Sequence, residues 1–441
     1  MDTIYLGYFY ANSQYLIDTA QVMDGAFNFS GDEPLKPGVY LVVMPPENHF
    51  FQLLIDSTEQ QFSFEAEAGA IERTITFDVS GDNALFYDHL RYLEQQRSKA
   101  KNIQAEIENA NIDIKSSAQE KLNDLNKEVM VYQHQLIREH PKTITAILIA
   151  SGFQPDVPEF EGTSEEISLQ QYIYFKRHYF DYTDLADPRM IRTPKNVLFD
   201  KVDHYMEKLT PVHPDSIITS LDYLLSEMEK APETYKYFLV YFLNNYAQSK
   251  IVGMDKVYVH LVENYYGKGK APWLDHEKLT KILNEASAAK PTLVGNIAPN
   301  FEVQRRDGTS IRLTDIHSPY TILIFWAPDC NHCKKSMPEL KTLHEEYNTR
   351  GVEVFAVCTK VNELEPDCWN FIDENGLDSW INASDKYGGK SLIHRLYNIK
   401  TTPRLFLLDE KKEILTKGVG VEQLPEILDH YVNVTSPGAQ K

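Results

Sequence analysis

The chain has 441 residues, with 44 Lys and Arg against 64 Asp and Glu, giving a formal net charge of −20. That length exceeds what one hydrophobic core organises and points to about three domains. The acidic balance, with no basic cluster, excludes a general role on nucleic acid or an anionic membrane surface. No run of 18 or more apolar residues occurs, so no membrane span is predicted in this chain.

Met1-Asp2 leads straight into a strand-like Thr3-Ile4-Tyr5-Leu6, with no signal peptide, as expected of a chain whose upstream targeting segment has been trimmed. Short apolar runs follow at Tyr15 to Thr19, Phe27 to Phe29, Val39 to Val43 and Phe51 to Ile55. Asp24-Gly25, Pro37-Gly38 and Pro45-Pro46 separate them as turn signals. Residues 1–80 are therefore predicted to form an antiparallel β-sandwich.

Residues 81–290 read as a helical domain. Leu122, Leu125, Val129, Tyr132 and Leu136 repeat at steps of three and four, a seam facing a mate at Leu85 to Ile107 across a polar link at Ala110 to Ser117. Further helices are predicted at Ile167 to Tyr179, Pro214 to Lys230, Ala231 to Ser249, Met254 to Tyr266 and Asp275 to Ala288. The 26 tyrosines peak at Tyr172 to Tyr182 and Tyr235 to Tyr246, where helical spacing predicts core packing. The histidines are scattered without metal-ligand spacing, and no catalytic constellation is evident.

Residues 291–441 carry the chemistry. An apolar strand, Tyr320 to Trp326, runs into Ala327-Pro328-Asp329-Cys330-Asn331-His332-Cys333 and an amphipathic helix to Tyr347. A thiolate at a helix N-terminus is stabilised by free N–H groups and the helix dipole, so Cys330 is the expected nucleophile. Cys333, one turn on, is placed to resolve a mixed disulfide formed there. Half a zinc site is the competing reading, but the other cysteines, Cys358 and Cys368, are ten apart and do not form a second close pair. An inert staple is the other, and it sits awkwardly at a strand-to-helix turn. Neither a cofactor nor a metal is expected. Gly351 to Cys358 reads as a second buried parallel strand, Glu365 to Asn375 as a helix stopped by Gly376, Thr401 to Asp409 and Glu413 to Lys417 as a hairpin, and Gln423 to Val432 as a closing helix.

Together these motifs resemble the thioredoxin fold of TlpA/ResA-type thiol-disulfide oxidoreductases, over about Val294 to Val434. Gly295-Asn296-Ile297-Ala298-Pro299-Asn300-Phe301 matches the family's leading strand, Arg306 to Ile316 its hairpin, Phe325-Trp326-Ala327 the approach to the Cys pair, and Pro338 the helix proline. Thr402-Pro403 falls where the family has a cis-proline whose preceding backbone binds substrate chain. The front segment resembles the N-terminal domain of Bacteroidetes envelope proteins through Asp24-Gly25-Ala26-Phe27-Asn28-Phe29 and Pro37-Gly38-Val39-Tyr40. The resemblance implies an α/β thioredoxin fold and a periplasmic, cell-envelope location. It also implies protein disulfide substrates, an upstream thiol electron donor, and supporting roles for Trp326, Thr402 and Pro403, while Asp329 and His332 are expected to support the pair through their place beside Cys330.

The departures are specific. Ile324 stands where thioredoxins keep a buried acid, and Ser336 where ResA-like reductases keep a Glu, leaving Asp329, Glu339 or water to take the proton of Cys333. His332 within the pair favours a more oxidising potential, which keeps an isomerase or oxidase open beside a reductase. Ala327, where a peroxiredoxin needs Thr, opposes that class. A non-catalytic binding protein with a vestigial redox module is the last alternative. Cys358 is expected as a buried inert thiol and Cys368 as partly exposed; a regulatory disulfide between them stays open but does not follow from spacing alone.

Overall fold

The computed structural model describes residues 3–108, 112–360, 364–385, 387 and 391–434. The chain folds as two compact units, Met1–Val212 with Thr219–Leu239, and His213–Ile218 with Val240–Lys441. The stretch expected as one helical domain thus contributes to both.

In the first unit, β1 (Thr3–Tyr10), β2 (Ser13–Gln21), β3 (Gly38–Met44) and β4 (His49–Ile55) form an antiparallel sheet in the order β2-β1-β3-β4. A two-stranded ribbon, β5 (Phe64–Glu65) with β6 (Thr76–Phe77), packs on it through Phe51, Phe64 and Phe77. The run Phe27 to Phe29, expected as a strand, is not one. Its two rings pack edge to face and lie against the sheet core, so the alternation that suggested a strand comes from a loop pinned by aromatic contacts. Phe86, Tyr87 and Ile144 close the same core from helices Gly81–Glu108 and Ile144–Ala150.

Helices Gly81–Glu108 and Ile112–Glu139 form the expected pair, with Leu122, Leu125, Val129 and Tyr132 half-buried and Leu136 buried along the seam. Tyr132 packs on Tyr92 at 3.9 Å between ring centroids. Of the expected polar link, Ala110 and Asn111 lie outside the described residues, and the helix resumes at Ile112. Further helices span Ser164–His178, Phe199–Glu207, Pro214–Met228, Pro232–Ala247, Asp255–Leu261 and His276–Ala289. Thr163 and Glu166 make a capping box at the first of these, and Asp275 caps the last. The tyrosine clusters are only partly core: Tyr179 and Tyr235 are buried, whereas Tyr172 stays exposed.

The second unit holds a seven-stranded mixed sheet. Its strands are β7 (Glu302–Gln304), β8 (Ser310–Arg312), β9 (Tyr320–Trp326), β10 (Val352–Cys358), β11 (Ile381–Ser384), β12 (Arg404–Asp409) and β13 (Ile414–Lys417), in the order β13-β12-β9-β10-β11-β7-β8. β9, β10 and β11 are parallel and β12 is antiparallel to β9. Every side chain of β9 is buried, as a central strand covered on both faces requires. Its alternate residues divide between two cores. Tyr320, Ile322, Ile324 and Trp326 pack with helices Asn331–Tyr347, Glu365–Asn375 and Leu424–Val434. Leu323 and Phe325 pack with Phe301, Phe355 and Tyr397 on the other face.

The leading segment Gly295 to Phe301 is displaced from expectation. Gly295 and Ala298 bond through their N–H groups to the carbonyls of Ile414 and Lys412, and the strand begins only at Glu302. Pro299, with no N–H to offer a ladder, stands at the break. Gly351 ends the turn before β10 at φ 88°, where a Cβ would come within 2.7 Å of Pro319, so only glycine fits.

Candidate active site

β9 delivers its chain to the site at Trp326, and Ala327 to Asp329 make the turn into helix Asn331–Tyr347. Cys330 is the N-cap of that helix. Its sulfur accepts the Cys333 backbone N–H at 3.3 Å, doing with a thiol what Ser or Asp usually does at this position. The same sulfur lies 3.1 Å from the Thr402 carbonyl oxygen, to which the neutral thiol donates. Thr402-Pro403 is a cis peptide, and its loop leads into β12, the antiparallel neighbour of β9. Sheet order therefore brings together two segments separated by about 70 residues of chain.

The two sulfurs have opposite environments. Burial pushes the Cys330 thiol up, but hydrogen bonds from the Cys333 side chain and N–H and from the His332 backbone outweigh it, and its pKa is held below the ordinary thiol value. Cys333 faces the core with no solvent exposure, and desolvation with the hydrogen bond to Cys330 pushes it up to about 12. Both thiols are free in this structure.

Trp326 is fully buried beneath the pair and packs on Phe371 at 5.1 Å. His332 is exposed on the first turn of the helix. Asp329 is exposed and pairs with Lys360 at 2.8 Å, and that ammonium holds its carboxyl below the usual carboxylate value. Glu339 lies on the solvent face of the helix, opposite Cys333, Met337 and Leu340. The Lys360 pair makes Asp329 a weaker base than a free carboxylate, and Glu339 is exposed to solvent.

Lys360 is the residue that sequence reasoning missed. Thirty positions separate it from Cys330; the available signal was its place just past the end of β10, whose Cys358 is registered with Trp326. The expectation for the remaining cysteines is corrected. Cys358 and Cys368 form a disulfide with Cα atoms 6.3 Å apart, and Cys368 is buried rather than partly exposed, because the first turn of helix Glu365–Asn375 lies against the end of β10. Among the described residues no three His, Cys, Asp or Glu side chains gather as a metal site, and no helix is long and apolar enough to cross a membrane.

Over 144 residues the chain is 32% identical to the thiol-disulfide oxidoreductase ResA of Bacillus thuringiensis (strain Al Hakam), a match covering 33% of this chain and 79% of that protein. The chain belongs to the ResA family of thiol-disulfide oxidoreductases. ResA of Bacillus cereus (strain ZK / E33L) matches at 33% identity over 144 residues, with the same coverage of both proteins. The AhpC/TSA family model matches residues 294–417. Two domains of unknown function match in front of it, DUF4369 at 1–132 and DUF5106 at 110–290. Among solved structures, a domain of a possible thiol-disulfide isomerase from Cytophaga hutchinsonii is 30% identical, with a TM-score of 0.30, covering 32% of this chain and 95% of that one. A thioredoxin-like protein from Bacteroides caccae is 20% identical with a TM-score of 0.47, covering 64% and 98%.

Proposed function

We propose that this ResA-family chain reduces disulfides in other proteins, with Cys330 as attacking thiol and Cys333 as resolving thiol. The observation that carries this reading is the asymmetry of the pair: a half-exposed sulfur capping a helix beside the Thr402 carbonyl, and a fully buried one a turn behind it. The Cys330 thiolate attacks one substrate sulfur and a mixed disulfide forms, releasing the other substrate sulfur as a thiolate that takes up a proton. Cys333 then gives up its proton and attacks the Cys330 sulfur. The Cys330–Cys333 disulfide forms and the second substrate thiol leaves. Two electrons have passed to the substrate, and an upstream thiol donor must return them.

In this reading Thr402 and Pro403 offer backbone to the substrate chain as an added strand. Trp326 gives the pair a rigid floor, Asp329 and His332 set the charge around the thiolate, and no cofactor takes part. The proposed working location is the cell envelope, in the periplasm. The proposed division is a thioredoxin-like domain over 291–441 behind a β domain at 1–80 and a helical domain at 81–290.

The test is insulin reduction by the full chain, lost in Cys330→Ser, with Cys333→Ser holding substrates as mixed disulfides. Turnover equal in wild type and Cys330→Ser would leave a non-catalytic binding protein. His332 beside the thiolate favours a second reading, an oxidant or isomerase. Reduction potential separates the two: about −270 mV supports a reductase, roughly −120 to −180 mV an oxidant or isomerase.

A further inference from the structure

The turn that launches the active-site helix carries an acid immediately before the nucleophile, and a carboxylate so close to a thiolate disfavours it. The structure answers that acid from a different strand. Beyond β10, Thr359 gives both its N–H and its hydroxyl to the Trp326 carbonyl, at 2.9 and 3.1 Å, tying the end of β10 to the end of β9. The Cys358–Cys368 disulfide fixes the same strand end to helix Glu365–Asn375. Lys360 comes next, and its Nζ reaches Asp329 Oδ2 at 2.8 Å. The lysine side chain is 27% exposed while its partner is 67% exposed, so the better-held member of the pair is the cation.

We propose that Lys360 is a positioning residue for thiol-disulfide exchange, which fixes the Asp329 carboxylate in an ion pair and cancels its charge beside the attacking sulfur of Cys330. This rests on the reading of Cys330 as the nucleophile. The other groups around that sulfur do not replace Lys360. Lys334 also attracts the Asp329 carboxyl, but as an exposed charge on the helix, whereas Lys360 holds it in a direct ion pair; His332 is exposed on the same helix, Cys333 is neutral and buried, and the cis-proline loop presents a backbone carbonyl. Arg404, the next charged residue along the chain, interacts electrostatically with Asp255 instead. At the spacing of adjacent residues in a largely aqueous setting, an uncancelled carboxylate changes thiolate occupancy about threefold.

The experiment follows iodoacetamide alkylation of Cys330 in the reduced full chain by mass spectrometry across pH. Lys360→Ala is expected to move the alkylation midpoint upward and slow modification about threefold below it. Lys360→Arg should titrate as wild type. The decisive variant is Asp329→Asn/Lys360→Ala: with no acid left to cancel, its midpoint returns towards wild type, which a loss of packing at Lys360 would not allow. A Lys360→Ala profile superimposable on wild type overturns the proposal, and so does a double variant as slow as Lys360→Ala. If wild type alkylates only at ordinary thiol pH and its insulin reduction survives Cys330→Ser, the functional reading fails and this one with it. If wild type passes both checks and Lys360→Ala is silent, only this inference falls.

Discussion

Removing the Cys358–Cys368 disulfide with Cys358→Ala/Cys368→Ala removes a cross-link of sequence separation 10 between a central strand and a surface-side helix. The chain-entropy relation gives about 2.7 kcal/mol for closing such a loop. Both sulfurs are buried in the core beneath the active-site helix, so truncation leaves a void as well, and the total comes to about 3–5 kcal/mol. Three of the four tryptophans, Trp326, Trp369 and Trp380, belong to or pack on this core, so intrinsic fluorescence in urea reports on it within the full chain. At a slope of about 2–3 kcal/mol per molar, the midpoint should fall by about 1–2.5 M. The bond itself is checked by thiol titration of a Cys330→Ser/Cys333→Ser variant, denatured without reductant. No free thiol is expected; two free thiols, or an unchanged urea midpoint for the alanine pair, would refute the reasoning.

In wild type, alkylation of Cys330 should be half-maximal below the ordinary thiol value of 9.0, since its pKa is lowered by hydrogen bonds to the sulfur. The sign carries into stability: the reduced protein gains from this thiolate above the unfolded thiol pKa and loses that gain as pH falls through the folded one, readable in urea midpoints against Cys330→Ala. Tyr397→Phe should cost about 1–2 kcal/mol in the same urea assay, because the buried Tyr397 hydroxyl donates to the Pro299 carbonyl at 2.5 Å and its loss leaves that acceptor unpaired. Resolution of a mixed disulfide by Cys333, whose thiol is pushed up by burial, should quicken with pH without a plateau near neutrality, and Glu339→Gln should leave it unchanged. A neutral plateau in stopped-flow measurements would reveal a protein base.

Much of the redox half was legible because its signals are local. Tyr320 to Trp326 is an unbroken apolar run of strand length, and Glu365 to Asn375 is closed by Gly376 in the left-handed C-cap conformation its sequence suggests. The front seam from Leu122 to Leu136 was readable for the same reason, its period being a property of one helix. Illegible were the features made by sheet order. The Cys358–Cys368 bond and the Lys360–Asp329 pair depend on which strand lies beside β9 and where it ends, and nothing in either local segment states that. The run Phe27 to Phe29 failed in the opposite direction, since alternating aromatics serve a pinned loop as well as a strand.

The order of events in the proposed reaction follows from one further property of the Cys-X-X-Cys spacing. Two residues of identical chemistry stand three apart, yet one thiol is held below its ordinary pKa and the other is raised to about 12. The helix makes the difference. At the N-cap a sulfur sits outside the first turn, where N–H groups converge on it, whereas three positions later the side chain points to the core face with Met337 and Leu340. In the proposed reaction a substrate disulfide therefore meets Cys330 first. Cys333 gains a target only when a sulfur bonded to Cys330 lies within its reach, so the buried thiol is spared attack on solvent-borne disulfides and is kept for release. Exchanging the positions by one residue would end this, because it would turn the second sulfur off the core face by about 100°.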